Sequence, residues 1–240
     1  MKIVLTNDDG IEAPGLDALF HSVIQLGDII IVAPQEAQSG VGHRVTTRAP
    51  IRVNQIGQNQ YSIEGTPADC SRIALKEIAS DADWLISGIN AGANLGSDIY
   101  NSGTVAAARE AAILGYPAIA ISQYISKDNE VDWAISGHHA GAVLKMLLGR
   151  EPGPGHFWNV NLPHPIEMEP PLTHQFCGLD TNPHKYAYRK NGSELIYTGT
   201  IHERPRNPGK DVAVCFDEHK IAITRLAVGT TESSRPFESL

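Results

Sequence analysis

The chain has no surplus of basic residues: 19 Lys and Arg stand against 27 Asp and Glu, a formal net charge of −8. That excludes a protein that tracks the backbone of a nucleic acid polymer, whose footprint is basic. It does not exclude one that holds a single nucleotide, because one metal ion neutralises one phosphate locally. Cysteine is scarce as well. Cys70, Cys177 and Cys215 are odd in number and lack CxxC spacing, which argues against a disulfide framework and fits reduced, buried thiols. No apolar run approaches the ~18 residues of a membrane span, and the N-terminal apolar stretch is too short for a signal peptide. A cytoplasmic protein with no membrane partner is expected. Missing too are GxxxxGK[ST], a GxGxxG after the first strand, HExxH and DxDx[TV]. An ATP-driven machine, a dinucleotide-dependent oxidoreductase, a zinc protease and a haloacid-dehalogenase-type phosphatase are thereby disfavoured.

What is present begins at the first residues. A short apolar run, Ile3-Val4-Leu5, ends in Asn7-Asp8-Asp9-Gly10. Two adjacent carboxylates at the carboxyl end of a first strand, where open α/β sheets place their ligands, are costly unless a cation binds there.

Strand and helix signals alternate over the first 160 residues. Strands are expected at Lys2–Thr6, Ile29–Ala33, Asp83–Ser87, Ala118–Ser122 and Phe157–Asn161. Helices are expected at Pro14–Leu26, Pro67–Ala79, Thr104–Leu114 and Val131–Leu148. This alternation predicts an α/β fold, a Rossmann-like, three-layer, mainly parallel sheet. Alternating β character at about 44–63 suggests an inserted hairpin. After Pro163 prolines and polar residues become frequent and helical periodicity disappears. We therefore read 1–163 as the catalytic domain and 164–240 as a β-hairpin-rich C-terminal extension serving as an oligomerisation arm.

In a parallel sheet the loops leaving the strand ends share one rim. Three of them carry small oxygen-bearing residues: Asp8-Asp9, Ser39-Gly40 and Gly88-Ile89-Asn90. Two carboxylates, the Ser39 hydroxyl and the Asn90 carbonyl make an all-oxygen donor set, which suits Mg²⁺, Mn²⁺ or Ca²⁺ rather than zinc or copper. A second signal is Ser102-Gly103-Thr104 ahead of the alanine-rich helix former Val105–Ala112. It leaves backbone N–H groups and two hydroxyls at the positive end of a helix, an anion site. His43, close to the Ser39 loop, is a candidate substrate contact and proton donor to a leaving alcohol. Arg109 has two candidate partners, the anion or a neighbouring glutamate. A receiver-like switch shares the acidic pair but needs an Asp and a Lys at later strand ends, where this chain has Ser87-Gly88 and Ser122-Gln123.

Several ungapped motifs occur in order: NDDG at 7–10, APGL at 13–16, VAP at 32–34 with Ser39-Gly40, GTPADC at 65–70, SGINAGANLG at 87–96 and YNSGTVAAARE at 100–110. With these the chain resembles the SurE family, stationary-phase survival proteins that are metal-dependent nucleotidases. The resemblance implies one divalent cation per subunit, Mg²⁺ or Mn²⁺, on Asp8, Asp9, Ser39 and Asn90. It implies phosphate held by Asn94 and Ser102-Gly103-Thr104, with Asp8, Asp9 and Asn94 as the catalytic group. Expected activity is hydrolysis of nucleoside 5′- and 3′-monophosphates, with short polyphosphate as a further substrate. The expected assembly is a homodimer or homotetramer formed by exchange of C-terminal arms.

Overall fold

The computed structural model describes residues 1–126, 130–183, 186–199 and 203–229. In chain order the elements are β1 (Lys2–Thr6), α1 (Pro14–Val23), β2 (Asp28–Pro34), β3 (Val53–Gly57), β4 (Gln60–Ile63), α2 (Pro67–Ile73), β5 (Trp84–Ala91), α3 (Gly103–Ile113), β6 (Ala118–Gln123), α4 (Trp133–Leu148), β7 (His156–Leu162), β8 (His174–Phe176), β9 (Tyr188–Asn191), β10 (Glu194–Tyr197), α5 (Asp211–Phe216) and β11 (Ile221–Ala227).

The main sheet runs β3-β4-β2-β1-β5-β6-β7-β11-β8. All pairs from β4 to β7 are parallel, which is why β1, β2, β5 and β6 read as continuous apolar runs: both of their faces are covered. On one face α1 and α4 enclose Ile3, Leu5, Leu19, Ile31, Ile86, Ile119 and Leu144. On the other, α2 and α3 enclose Val4, Val32, Leu75, Leu85, Val105 and Phe157. The result is the expected three-layer, Rossmann-like architecture. From β1 the chain moves outward through β2 to β4, then returns to lay β5, β6 and β7 on β1's other side. The switch point of the sheet therefore lies at the carboxyl end of β1, where ligands bind in open α/β folds.

Helix ends follow side-chain chemistry. Asp132 caps α4, accepting from Ala134 N at 2.9 Å and Ile135 N at 3.3 Å, so the helix starts at Trp133 rather than at Val131. Thr66 and Asp69 form a reciprocal capping box on α2. The expected helix 67–79 is α2 continued by a single π turn, Ala74–Ile78, which stops where Ala79 leaves the helical backbone region. Alanines on α3 allow close approach to α2, where the Ser71 hydroxyl donates to Ala107 O at 2.9 Å.

Two expectations about domain organisation change in detail. Of the hairpin expected at 44–63, only β3 and β4 pair, and β4 also joins the main sheet parallel to β2. Residues 44–46 form no ladder because side chains take their polar groups: Thr46 N and Oγ1 each donate to Asp69 at 2.8 Å, and Arg44 O accepts from Thr66 Oγ1 at 2.6 Å. Likewise the chain after 163 is not wholly an appended arm. β11 pairs antiparallel with β7 along its length and β8 pairs with β11, while β9 and β10 form a separate exposed hairpin. No helix among the described residues is long and apolar enough to cross a membrane.

Candidate active site

The rim at the switch point is assembled by backbone ties between loops. Asn7, fully buried, donates Nδ2 to Gly10 O at 2.7 Å and accepts Gly10 N at 3.2 Å, which fixes the turn carrying Asp8 and Asp9. Gln38 N donates to Asp8 O at 2.7 Å and Ile11 N to Pro34 O at 2.8 Å. The loop leaving β2, with Ser39, is thereby stitched to the loop leaving β1. From the other neighbour, Ala91 N donates to Asp9 Oδ2 at 3.0 Å, bringing the end of β5 and its Asn90 alongside.

The start of α3 closes the site from above. Thr104 donates its hydroxyl to Asp8 Oδ1. A Cβ added to Gly103 would lie 2.8 Å from Asp8 Cβ and 2.9 Å from Oδ2, so only glycine lets the first turn of α3 come this close. Ser102 caps the helix, its Oγ accepting Val105 N at 3.0 Å, which leaves the Gly103 and Thr104 N–H groups at the positive end of the helix.

Asp8 and Asp9 sit in a field that disfavours their charge. Burial pushes Asp8 up to about 6, with the hydrogen bond from Thr104 working against it and neighbouring Asp9 adding to it. Burial also raises Asp9, opposed by the Ala91 N–H. Among the described residues neither forms an ion pair. Two desolvated, adjacent carboxylates without a cationic side chain are the environment a bound cation relieves. The neutral donors fit as well. Asn90 Nδ2 is committed to Gly92 O at 2.7 Å, which leaves its carbonyl oxygen for a ligand, and Ser39 is exposed. No group of three or more His, Cys, Asp and Glu among the described residues could hold a metal. Two carboxylates with neutral oxygen donors beside them are a set that Mg²⁺ or Mn²⁺ would suit.

Asn94, Thr104 and His43 have the following protein partners. Asn94 lies further along the rim, over β6 and β7: its N–H donates to Asn161 Oδ1 at 2.8 Å and its Nδ2 to Ser122 Oγ at 2.8 Å. Its carbonyl accepts from Asn159 and Asn161 at 2.9 and 3.0 Å. One N–H of the Asn94 amide is left for an anion. Thr104 turns its hydroxyl and its backbone N–H toward Asp8. His43, read as a proton donor, has both ring nitrogens engaged: Nε2 lies 2.7 Å from Glu110 Oε2 and Nδ1 lies 3.5 Å from Arg109. These contacts set His43 against α3. Arg109 faces His43 and Ile99 O, the latter at 2.9 Å. Sequence reading passed over Asn159 and Asn161, although two asparagines at period two in an apolar strand signal one polar face turned toward the rim.

A sequence model of the family described as "Survival protein SurE" matches residues 3–182. The chain belongs to the SurE family. A curated relative from Synechocystis sp. is 48% identical over 228 residues, covering 95% of this chain and all of that protein. The protein named "5′-nucleotidase SurE" from Vibrio cholerae serotype O1 is 42% identical, covering 99% of this chain and 96% of its own. Among solved structures, the SurE protein from Aquifex aeolicus superposes with a TM-score of 0.85 at 28% identity, over 97% of this chain and 95% of that one. The matched span 3–182 contains the segments that carry Asp8-Asp9, Ser39, Asn90, Asn94 and Ser102–Thr104.

Proposed function

We propose that the protein is a metal-dependent phosphomonoesterase that converts nucleoside 5′-monophosphates, and 3′-monophosphates, to nucleoside and phosphate, with short polyphosphate as a further substrate. The observation that carries this reading is the direct contact of Asp8 with the first turn of α3. It sets a cation-seeking carboxylate pair against an anion-seeking helix terminus, so a phosphate is bracketed between charges of the correct sign. Relatives named 5′-nucleotidase support the nucleotide as substrate.

Asp8, Asp9, Ser39 and Asn90 would hold the cation. When bound, it supplies Lewis acidity to a phosphoryl oxygen and to water. The Gly103 N–H, the Ser102 hydroxyl and the Asn94 amide would donate to the equatorial oxygens, whose charge must be stabilised during phosphoryl transfer. The Thr104 hydroxyl fixes the rotamer of Asp8. Phosphate release from a panel of nucleoside monophosphates, with and without chelator, tests the reading: turnover in Mg²⁺ or Mn²⁺ that chelator abolishes is expected, and chelator-insensitive turnover overturns the metal assignment.

Assembly through the arm belongs to the same proposal. The β9–β10 hairpin is exposed along its whole length, with Tyr188, Leu195 and Tyr197 at 59, 67 and 50% exposure. An apolar hairpin of this kind fits burial against a second copy of the chain. Light scattering on the intact protein and on a Tyr188→Ser, Leu195→Ser, Tyr197→Ser variant should give an oligomer and a smaller species.

A further inference from the structure

Asn94 and Ser102 are joined by the segment 95–101, in which Gly96–Tyr100 form one 3₁₀ turn. This segment is held from behind by the last third of the chain. Gly96 N donates to Asp211 Oδ2 at 2.7 Å. Arg204 Nη1 donates to Asp98 Oδ2 at 2.9 Å and to Leu95 O at 3.2 Å. Asp98 O in turn accepts the N–H of Ser102 at 3.1 Å, so a hold on Asp98 is a hold on the cap of α3.

The residues that do the holding are themselves fastened together. Asp211 Oδ1 accepts Asp180 N at 2.7 Å and Val212 N at 2.9 Å, and Asp180 Oδ2 accepts Asn207 N at 2.6 Å. Asp211, Asp180 and Arg204 are all buried. Gly96 has φ +52, and a Cβ there would lie 2.9 Å from Asp180 O, so the loop backbone rests directly on this cluster.

Charges buried in this way are costly, and well-packed apolar residues often serve stability as well or better. Burial raises Asp211 above the ordinary carboxylate value despite the N–H groups of Gly96, Asp180 and Val212 and the nearby Arg204. An apolar side chain could fill the space but could not accept the Gly96 N–H or grip Asp98.

We infer that Asp211 and Arg204 are positioning residues for the phosphate site, fixing the segment 95–101 so that Asn94 and the Ser102 cap stand at the separation the anion requires. The inference rests on the reading of Asn94 and Ser102–Thr104 as the phosphate site. It makes the C-terminal third of the chain part of the hydrolytic unit.

The test measures orthophosphate binding by calorimetry in saturating Mn²⁺, Mn²⁺ binding alone, and kcat and KM with a nucleoside monophosphate. Asp211→Asn keeps the shape but offers one acceptor oxygen where three N–H groups now share two. Asp98→Asn removes the ion pair with Arg204 and leaves the Asp211 bonds in place. Both variants should weaken orthophosphate about tenfold, the scale of one lost hydrogen bond to a charged group. KM should rise with it, while the Mn²⁺ dissociation constant stays within about twofold, since Asp8, Asp9, Ser39 and Asn90 lie outside the segment. Wild-type orthophosphate affinity in both variants, with only the melting temperature lowered, reduces the cluster to a fold element and overturns the inference. Should Asp211→Asn fail to fold, Asp98→Asn decides by the same criteria. If the unmodified protein binds no orthophosphate, the phosphate reading falls and takes the inference with it.

Discussion

Glu110 Oε2 lies 2.7 Å from His43 Nε2, and the same carboxylate reaches Arg72 Nε through Oε1 at 2.5 Å. One buried group on α3 thus fastens the loop that follows Ser39 to both helices on this face of the sheet. Gly42 N adds a bond to Asn101 O at 3.1 Å. Glu110→Gln removes the charge and replaces one acceptor oxygen by a donor, so the ion pair with Arg72 is lost and the contact to His43 keeps at most a neutral hydrogen bond. We expect a loss of about 2 kcal/mol in urea unfolding, the scale of a hydrogen bond to a charged group. Because the loop carries Ser39, a weaker metal-induced rise in melting temperature should accompany it. An unchanged metal response would show that the clamp serves the fold alone.

Thr104→Val isolates the hydroxyl that orders Asp8. The substitution conserves volume and leaves the Thr104 N–H in place, but Asp8 Oδ1 loses its donor. Groups that orient a metal ligand typically contribute 10–100-fold to metal affinity or activity. A rise in the metal dissociation constant of about that size is expected for Val, and Thr104→Ser should recover most of it. Equal affinity in all three proteins would remove the Thr104 hydroxyl from the ordering of Asp8.

These contacts show where sequence reading stops. The parallel core was legible because strands covered on both faces are apolar runs, and because Pro14 marks the start of α1, whereas the Asp132 cap of α4 was read inside its helix. Asp8, Asp9, Asn90 and Ser102 were legible because a rim residue directly follows its strand or precedes its helix. Glu110 was not: within Val105–Ala112 it reads as a helix-surface charge, and only the packing of α2 and the 39–46 loop over α3 buries it. Nor was Asp211, whose partners Gly96 and Asp180 are remote in sequence. The position of β11 beside β7 is hidden for the same reason, since pairing between distant segments leaves no local signature.

Removing a charge at the proposed metal site should raise stability while abolishing turnover. Burial raises both Asp8 and Asp9, and their mutual repulsion adds to Asp8. In chelator, Asp8→Asn and Asp9→Asn relieve an uncompensated buried charge, so each should melt higher than the parent protein. Added Mg²⁺ or Mn²⁺ should stabilise the parent and leave the variants unmoved, with hydrolysis lost in both. Variants that melt lower in chelator would contradict the electrostatic reading of this rim.

Asp69 behaves in the opposite sense and sets an acid limit on the loop. Burial alone would raise it, but donors from Thr46 and Thr66 outweigh burial and hold it below its ordinary 3.8. The native state therefore binds this proton less readily than the unfolded chain. Its contribution to stability is full above about 4 and is lost as pH falls through the lowered native value. Glu110 adds a second carboxylate of the same sign: burial is outweighed by His43 and Arg72, which hold it below 4.5. Urea unfolding of the parent and of Asp69→Asn from pH 7 down to pH 3 measures the Asp69 share. The gap between the two should stay constant to about pH 4.5 and narrow below it, because protonation then removes from the parent what the substitution has already removed from the variant. A gap that stays constant over the whole range would mean that the Thr46 and Thr66 bonds do not depend on the charge of Asp69.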